Sequence, residues 1–456
     1  MRVLFATYSE TTHFHAMVPL AWALAAAGHE VRVASQPALT EVITRTGLTA
    51  VPVGTDHALW RISNRFLTQR FAEANPVAYN RIRGVDLPPF ARSEESAEST
   101  GWEYLRSGYE DILRSWYKII NDPLTEDLVG FARQWRPDLV IWEPTTHGGP
   151  IAAEAVGAAH GRLLWSLDIF ARTRQKFLRL RERQPPGQRQ DPLGEWVGDQ
   201  AAAYGVEFSE SLITGQFTLD QYPAPLRLDT DVHHVPMRYV PYNGTSVVPR
   251  WLREPPARPR VCLTLGLFST DRFGGYPISV QDVLDSVADL DIELVGTLAE
   301  EERGKLVRVP DNTRLVEFVP LQALAPTCAA AIHHGGFGTT NTVAASAVPQ
   351  LVISEQHDTP MLGRRLRAYG AGLSEFYTDI TGERVRAHLV RLLEEQSFAT
   401  AAAALREDML SMPTPRELVP VLQKLTADHR TRPTTSQGAT CASSSQAAAS
   451  PAWPRR

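Results

Sequence analysis

Apolar and polar positions at the start of the chain alternate in a way that predicts a strand, a helix and a second strand. Residues 3–6 predict a buried strand, residues 18–27 predict a helix that ends at Gly28, and residues 30–34 predict the next strand. The polar residues 7–15 predict a loop between the first strand and the helix. A strand–helix–strand unit this short indicates a parallel sheet.

The same alternation returns later in the chain, on both sides of a proline-rich segment. Residues 251–260 hold three prolines in ten positions, which is typical of an interdomain linker. Further strands are predicted at residues 138–142, 261–265, 292–296, 329–333 and 350–353, and further helices at 150–159, 278–289 and 339–347. Two successive halves of βα alternation predict an α/β fold with two Rossmann-like βαβ domains.

These patterns divide the chain into five segments. Rossmann-like domains are expected over residues 1–235 and 259–410, joined by a proline-rich linker over 236–258. A helix over 411–428 is expected to pack back on the first domain. Residues 429–456 are rich in Ser, Ala, Thr and Pro without a core pattern, and they predict a disordered tail.

Composition excludes several classes of protein. The 456 residues include 46 Lys plus Arg and 51 Asp plus Glu, and the net charge of −5 is too small to attract nucleic acid or an anionic membrane. Three cysteines cannot form a disulfide framework, and the first residues lack a signal-peptide pattern, so a cytoplasmic location is expected. No uninterrupted apolar run approaches the roughly 18 residues of a membrane span.

The glycine-rich segment 333–340 is the most informative candidate site. It contains three glycines between a predicted strand and a predicted helix, where backbone N–H groups can approach an anion closely. The alternative is a tight turn that needs glycine only for its backbone conformation. Adjacent histidines and threonines favour phosphate binding, and the glycine order matches neither a dinucleotide-binding fingerprint nor a P-loop.

Several motifs together carry a resemblance to a known family. They are His334, Gly336, Gly338, Thr339, the Val-Pro pair at 348–349, and Asp358-Thr359. This run resembles the donor-binding signature of family-1 glycosyltransferases with the GT-B fold, in which two Rossmann-like domains face each other across a cleft. The resemblance implies diphosphate contacts for the first four of these residues and a sugar contact for Asp358.

The resemblance extends over most of the chain and narrows the subgroup. Residues 18–24, 142–144 and 237–244 are most similar to the macrolide and polyketide sugar transferases of actinomycetes, of the erythromycin, tylosin and spinosyn class. Those enzymes attach deoxysugars and aminodeoxysugars during antibiotic or insecticide biosynthesis. The resemblance therefore implies that the first domain binds the acceptor and the second binds the nucleotide sugar.

Two departures from the wider family bear on the donor. Enzymes that use uridine diphosphate usually carry a Glu where this chain has Thr342, and the shorter side chain favours a thymidine diphosphate (dTDP) donor. Thr359 stands where many relatives have Gln, which suits a sugar with fewer hydroxyls, since an unpaired buried amide costs about 1–3 kcal/mol. Asp358 would then face a cationic sugar amine; the alternative is a plain loop or helix-capping aspartate.

The nucleotide base and the phosphates of the donor have further candidate contacts. The resemblance implies that the nucleotide base stacks on Phe318 and pairs with the backbone of Val319, whereas a Phe taken alone is more often ordinary core. A turn after the strand at 261–265 places Ser269 or Thr270 as a second phosphate contact.

A histidine is the expected general base for an acceptor hydroxyl. His13 follows the first strand, at the carboxyl edge where ligands of parallel sheets collect, and the resemblance places the catalytic histidine there. His15 is the local competitor. Glu143 follows the strand at 138–142 and would orient His13, as the acid does in hydrolase triads; its alternative is a carboxylate that caps the next helix.

A metal site is the weaker interpretation of a second motif. Asp229 and Asp231 form a D-x-D beside His233 and His234, a pattern that metal-dependent transferases use for a divalent ion. A solvated loop is preferred because so short a match is common by chance. No metal and no cofactor are therefore expected beyond the dTDP-sugar, which is a substrate.

Aromatic residues between 60 and 125 predict either core or the wall of an apolar acceptor pocket. The candidates for both roles are Trp60, Phe66, Trp102 and Trp116. The resemblance also implies an auxiliary protein, a cytochrome P450-like chain without its haem function that docks on the first domain. It leaves a homodimer open.

The predicted function is transfer of a deoxyaminosugar from a dTDP-sugar to a hydroxyl of a macrolide or polyketide aglycone. Proton removal by His13 and direct displacement predict inversion at the anomeric carbon. Two rivals share the fold: a sugar-nucleotide epimerase, which uses no acceptor, and a non-catalytic protein that only binds the sugar nucleotide.

Overall fold

Two parallel sheets form the frame of the protein. The computed structural model describes residues 1–66, 69–85, 87–266, 270, 275–276 and 278–430. The first sheet has the strand order β3-β2-β1-β4-β5-β6-β7. Its strands are β1 (Arg2–Ala6), β2 (Glu30–Ser35), β3 (Thr49–Pro52), β4 (Leu139–Trp142), β5 (Ala159–Leu163), β6 (Phe217–Asp220) and β7 (His234–Pro236). Leu4 pairs with Arg32 on one side and Val140 on the other, so β1 is an interior strand next to the central strand β4.

The second sheet repeats this architecture after the proline-rich segment. Its order is β10-β9-β8-β11-β12-β13, again parallel throughout. Its strands are β8 (Arg260–Thr264), β9 (Glu293–Thr297), β10 (Thr313–Val316), β11 (Ala330–His333), β12 (Gln350–Ser354) and β13 (Gly372–Phe376). The predicted α/β fold with two Rossmann-like domains is confirmed.

Helices cover both sheets, as parallel sheets require. In the first half they are α1 (Thr11–Ala26), α2 (Thr40–Arg45), α3 (Leu59–Asn64), α4 (Gln69–Ala74), α5 (Pro76–Arg83), α6 (Ala97–Thr100), α7 (Trp102–Ile112), α8 (Lys118–Trp135), α9 (Gly148–Glu154), α10 (Ile169–Glu182), α11 (Pro192–Ala202) and α12 (Ser211–Thr214). In the second half they are α13 (Val280–Ser286), α14 (Glu300–Arg303), α15 (Leu321–Leu324), α16 (Phe337–Ala345), α17 (Thr359–Tyr369), α18 (Gly382–Glu394), α19 (Gln396–Ser411) and α20 (Leu418–His429).

Two predicted element boundaries are wrong. The helix predicted to begin at residue 18 begins at Thr11, because Phe14 and Met17 are fully buried and tertiary packing extends the helix into the polar segment. His13 therefore lies in the first turn of α1 and not in a loop. The helix predicted over 150–159 ends at Glu154; Gly157 adopts a left-handed backbone and the chain turns into β5.

The last described helix returns to the first sheet. Four apolar side chains of α20 are buried in one cluster with residues of β1 and α1: Leu418, Val419, Leu422 and Leu425. The predicted tail lies outside the described residues from position 431 onward. Among the helices that the structure describes, none combines the length and apolar character needed to cross a membrane.

Candidate active site

His13 and Glu143 meet at the carboxyl edge of the first sheet. His13 is in the first turn after β1, Glu143 follows β4 directly, and β1 and β4 are hydrogen-bonded neighbours. The Nδ1 atom of His13 lies 3.3 Å from Oε2 of Glu143. Both side chains are shielded from water, with exposed fractions of 7% and 0%. The parallel register of two adjacent strands therefore builds a buried histidine–carboxylate pair.

The Glu143 carboxylate is held by a shell of donors. It accepts hydrogen bonds from the Thr145 hydroxyl (2.8 Å), the Thr146 hydroxyl and the Trp165 indole N–H (2.9 Å). Burial alone would raise the pKa of Glu143, but His13 and the Thr146 and Trp165 donors outweigh it and lower the pKa. Glu143 is therefore ionised at neutral pH.

Trp165 is a site residue that the sequence analysis missed. Its ring stacks on the His13 imidazole with a centroid distance of 3.6 Å and an interplanar angle of 17°, while Tyr8 contacts the imidazole edge-on at 5.2 Å. One side chain thus fixes the plane of the His13 imidazole and donates a hydrogen bond to Glu143. Its position, two residues after β5, is the signal that could have found it, because β5 neighbours β4.

His15, the competing candidate, lies in a different environment. Its ring meets Tyr242 edge-on at 5.3 Å. Burial lowers the pKa of His15 to about 4, although Glu10 opposes the shift. The pairing with Glu143 thus distinguishes His13 from its neighbour in the sequence.

The glycine-rich segment joins β11 to α16 and encloses the imidazole of His334. A Cβ atom at Gly266 would lie 2.6 Å from this ring, and one at Gly336 would lie 2.3 Å from Nε2. Gly335, between them, has a left-handed backbone with φ of 85°. Burial lowers the pKa of His334 to about 4, so its ring is neutral at pH 7. These glycines leave the space that a partly buried, uncharged histidine needs.

The first turn of α16 is anchored to residues from outside the second domain. Phe337 packs edge-on between Tyr222 (5.4 Å) and Tyr239 (5.5 Å). The Tyr239 hydroxyl donates to the Gly338 carbonyl oxygen (3.1 Å) and lies 3.0 Å from the Thr342 hydroxyl. Thr342, the residue at the predicted ribose position, is fully buried, and its protein partner is the Tyr239 hydroxyl. Thr339, one turn earlier, is partly buried.

Asp358 bridges the two domains. Its carboxylate accepts a hydrogen bond from the backbone N–H of Leu167 in the first domain (2.8 Å), and it makes no capping bond to α17. Burial raises the pKa of Asp358 to about 6. Thr359 has a local role: its hydroxyl donates to the Gln356 carbonyl oxygen (2.7 Å) and accepts from the Glu355 backbone N–H (3.4 Å). The helix-cap alternative for the Asp358 side chain is therefore wrong.

Phe318 and Val319 have opposite exposures. Phe318 is 52% exposed, so the alternative that it is ordinary core is wrong, while Val319 is buried. Thr270 is partly buried. Ser269, the other candidate phosphate contact, lies outside the described residues.

Comparison with known protein families identifies one family that matches both domains of the chain. Residues 22–266 match the N-terminal domain model, and residues 281–425 the C-terminal domain model, of the erythromycin biosynthesis protein CIII-like (EryCIII-like) family. The chain belongs to the EryCIII-like family.

Relatives of this EryCIII-like chain are glycosyltransferases. It is 48% identical to 10-deoxymethynolide desosaminyltransferase of Streptomyces venezuelae, covering 95% of this chain and 99% of that protein. It is 43% identical to tylactone mycaminosyltransferase of Streptomyces fradiae, covering 94% and 93%. The chain is therefore a glycosyltransferase, and its resemblance to macrolide and polyketide sugar transferases is confirmed.

Solved structures agree with the EryCIII-like assignment and the GT-B fold. The glycosyltransferase VinC in complex with dTDP superposes with a TM-score of 0.82 at 38% identity, covering 94% of this chain and 100% of that one. Spinosyn forosaminyltransferase SpnP gives 0.76 at 38% identity, covering 94% and 99%.

The D-x-D motif of this EryCIII-like chain contacts two arginines that are distant in the sequence. Asp231 pairs with Arg179 at 3.1 Å, and the Asp229 carbonyl oxygen accepts from Arg172 at 3.0 Å. His234 lies 2.6 Å from the Thr230 hydroxyl. Within the part of the chain that the structure describes, no group of three or more His, Cys, Asp or Glu side chains is arranged to hold a metal ion.

The aromatic candidates of the EryCIII-like first domain divide by burial. Trp102 stacks on Phe177 with centroids 5.0 Å apart, and Trp116 is buried with its ring 5.9 Å from that of His357. Trp60 is half-buried against the same core, whereas Phe66 is 43% exposed. Packing thus accounts for Trp102 and Trp116, and of the four only Phe66 presents a large exposed surface.

The two EryCIII-like domains are held together by charged pairs around α17. Arg364 pairs with Glu94 of the first domain at 2.6 Å, and Glu355 pairs with Arg83. Loss of hydration lowers the pKa of His357, a partly buried residue between Glu355 and Asp358, to about 4, with a smaller contribution from His13 across the cleft. These contacts bring the loop before α17 close to the edge of the first sheet that carries His13.

Proposed function

We propose that this chain transfers a deoxyaminosugar from a dTDP-sugar to a hydroxyl of a macrolide or polyketide aglycone, with inversion and without a metal ion. The observation that carries the proposal is the 3.3 Å contact between His13 and Glu143 at the sheet edge that faces the second domain. This pair supplies the base that the transfer needs, and the family supplies the reaction class.

His13 would act as the general base through a fixed tautomer. The ionised Glu143 favours a proton on Nδ1, which leaves Nε2 to accept the proton of the acceptor hydroxyl. Stacking on Trp165 keeps the imidazole in that plane. As the hydroxyl oxygen attacks the anomeric carbon, Glu143 stabilises the imidazolium that forms.

The departing diphosphate would be stabilised by the N-terminus of α16. Backbone N–H groups and the positive end of the helix dipole both favour an anion there. Because His334 is neutral at pH 7, it would contribute a hydrogen bond and not a positive charge. The helix, and not a metal ion, would then carry most of the electrostatic stabilisation.

The thymidine nucleotide is supported by two observations. The structural neighbour VinC was solved with dTDP. Thr342, at the position where uridine-diphosphate enzymes carry Glu, is enclosed with Tyr239 and offers no carboxylate to a ribose 2′-hydroxyl.

An amino group on the sugar is the finer part of the proposal. Two relatives are a desosaminyltransferase and a mycaminosyltransferase. Asp358 is buried beside the first domain with a pKa of about 6, so it is ionised at neutral pH and would pair with a cationic amine. Release of its bond to Leu167 would free an oxygen for the sugar.

The test is an acceptor-dependent transfer assay. The chain is incubated with a panel of dTDP-sugars and macrolactones, with and without a P450-like auxiliary chain and with EDTA, and free dTDP and glycosylated product are measured. We expect dTDP release only when a macrolactone is added, with EDTA having no effect and the product anomer inverted. His13→Ala should abolish transfer, whereas His233→Ala, at an exposed position, should retain most of it.

The rivals predict different products. Conversion of the sugar nucleotide to an isomer without acceptor would contradict the proposal in favour of an epimerase. Donor binding without turnover in every combination, the auxiliary chain included, would contradict it in favour of a binding protein.

A further inference from the structure

A cavity lies where three parts of the chain meet, outside the His13–Glu143 pair. It has a volume of about 250 Å³. The first domain contributes Thr11, His15, Val42 and Arg45; the linker contributes residues 242–245; and the second domain contributes Phe318. The cavity therefore exists only when linker and both domains are assembled as they are here.

Three aromatic side chains line this cavity. Phe318 is half-exposed and is the contribution of the second domain. His15 and Tyr242, from the first domain and the linker, meet edge-on at 5.3 Å, and His15 is uncharged at neutral pH because burial lowers its pKa to about 4. Aromatic surfaces from three parts of the chain suit a flat heterocycle, which stacks on such rings.

Asn243 connects the cavity to the start of α16. Its Nδ2 donates weakly to Oε1 of Gln322, at 3.4 Å, in the helix that follows Phe318. Its Oδ1 would lie 3.5 Å from a Cβ atom at Gly338, in the first turn of α16. The amide thus stands between the aromatic wall and the helix N-terminus proposed for the diphosphate. A molecule with its heterocycle in the cavity and its diphosphate at the start of α16 would lie against the Asn243 side chain.

We propose that the linker forms one wall of the site for the nucleoside part of the donor, with Asn243 as a specificity-determining residue. The inference rests on the proposed function, because it takes the donor to be a nucleoside diphosphate sugar. The amide of Asn243 offers one donor and one acceptor to the polar edge of the nucleoside, while Phe318 and Tyr242 flank the ring. Donor recognition then requires the linker as well as the second domain.

The experiment measures binding of dTDP and of inorganic pyrophosphate to the full chain by titration calorimetry. Asn243→Ala should weaken dTDP binding about 5- to 20-fold, the loss expected for one or two hydrogen bonds. Pyrophosphate binding should be unchanged, because that probe lacks a nucleoside. Gln322→Ala removes the protein partner of Asn243 and should leave dTDP affinity within about twofold. Val247→Ala, at an exposed linker position, is the control for substitution within the linker itself.

The outcomes separate this inference from the proposed function. Asn243→Ala that keeps both the wild-type melting temperature and wild-type dTDP affinity would overturn the inference alone. Equal loss of dTDP and pyrophosphate binding would also overturn it, since Asn243 would then act on the diphosphate. Wild-type protein that binds neither probe would instead overturn the proposed donor. Nucleoside-specific loss in Asn243→Ala, with Gln322→Ala intact, supports the linker wall.

Discussion

Individual side chains at the site owe their protonation states to burial and to the partners that surround them. Glu143 is ionised although it is shielded from water, because His13 pairs with it and because Thr146 and Trp165 donate to it. His334 is neutral because loss of hydration lowers its pKa by more than the hydrogen bond with the Thr264 backbone raises it. The residue types could be read from the sequence, whereas their protonation states depend on neighbours brought in from distant segments.

Replacing Glu143 with Gln should lower kcat about 10²- to 10⁴-fold, because the neutral amide neither fixes the His13 tautomer nor stabilises the imidazolium. Glu154→Gln is a matched control: Glu154 also pairs with a histidine, His160 at 3.2 Å, but at the opposite edge of the sheet, where β5 begins. Steady-state kinetics of both variants check the prediction. Wild-type kcat in Glu143→Gln would remove the dyad from the mechanism.

Asp358 should make the stability of the protein depend on pH. Its pKa rises from 3.8 to about 6 on folding, so its stabilising contribution is complete below pH 3.8 and is lost as pH rises through 6. The wild-type free energy of unfolding should therefore fall by about 3 kcal/mol relative to Asp358→Asn across this interval. Denaturant titrations from pH 4 to 7 measure the difference. Parallel curves for the two proteins would contradict the prediction.

At the scale of single elements, the segment from β11 to α16 shows how glycine creates a site. Only a residue without a side chain fits at 266 and 336, because the His334 imidazole occupies the space where a Cβ atom would lie. At Gly336 this is a packing requirement alone, whereas Gly266 also has a left-handed backbone (φ of 71°), as Gly335 does. Three glycines between a predicted strand and a predicted helix suggested an anion-binding turn, which stays a prediction, whereas the histidine packed inside the turn was not foreseen.

Gly336→Ala should abolish or weaken pyrophosphate binding at least about tenfold, since the new Cβ atom would displace His334 from its place at the turn. Gly130→Ala is the control, because no atom lies within 4 Å of the added Cβ in the middle of α8. The control should bind normally and gain up to about 1 kcal/mol of stability from helix propensity. Normal pyrophosphate binding by a folded Gly336→Ala protein would contradict this account.

The elements that the sequence predicted are those with unbroken apolar runs. Seven of the thirteen strands in the described ranges were predicted, among them β1, β4 and β11. β5 was missed because its sequence, Ala-His-Gly-Arg-Leu, looks polar. In the structure Arg162 is fully buried and pairs with Asp168 at 2.8 Å, a partner that only the folded chain supplies. Trp165 was also missed, because its role depends on the pairing of β5 with β4, which brings Trp165 beside Glu143.

At the scale of the whole molecule, the chain crosses between the domains twice. The linker carries it from the first domain to the second, and α20 returns it to the first, where Leu418 and Leu422 are buried with the residues around β1. The sequence analysis expected a helix over 411–428 to pack back on the first domain. The surface that receives it could not be predicted, since residues from β1, α1 and β7 share it.

Leu422→Ala should lower the free energy of unfolding by about 2–5 kcal/mol, because the side chain is fully buried where α20 meets the first domain. Val421→Ala, one position earlier and 40% exposed, should change it by less than about 0.5 kcal/mol. Chemical denaturation followed by tryptophan fluorescence compares them. Equal effects from the two substitutions would mean that α20 does not stabilise the first domain in solution.

The double crossing also decides what a single break in the backbone would do. Val247 is 82% exposed in the linker, the kind of position at which a protease cleaves first. A nick there severs one of the two connections, while α20 keeps the carboxyl-terminal fragment fastened to the amino-terminal one. The nicked protein should migrate as one particle in native gel electrophoresis and as two fragments in denaturant.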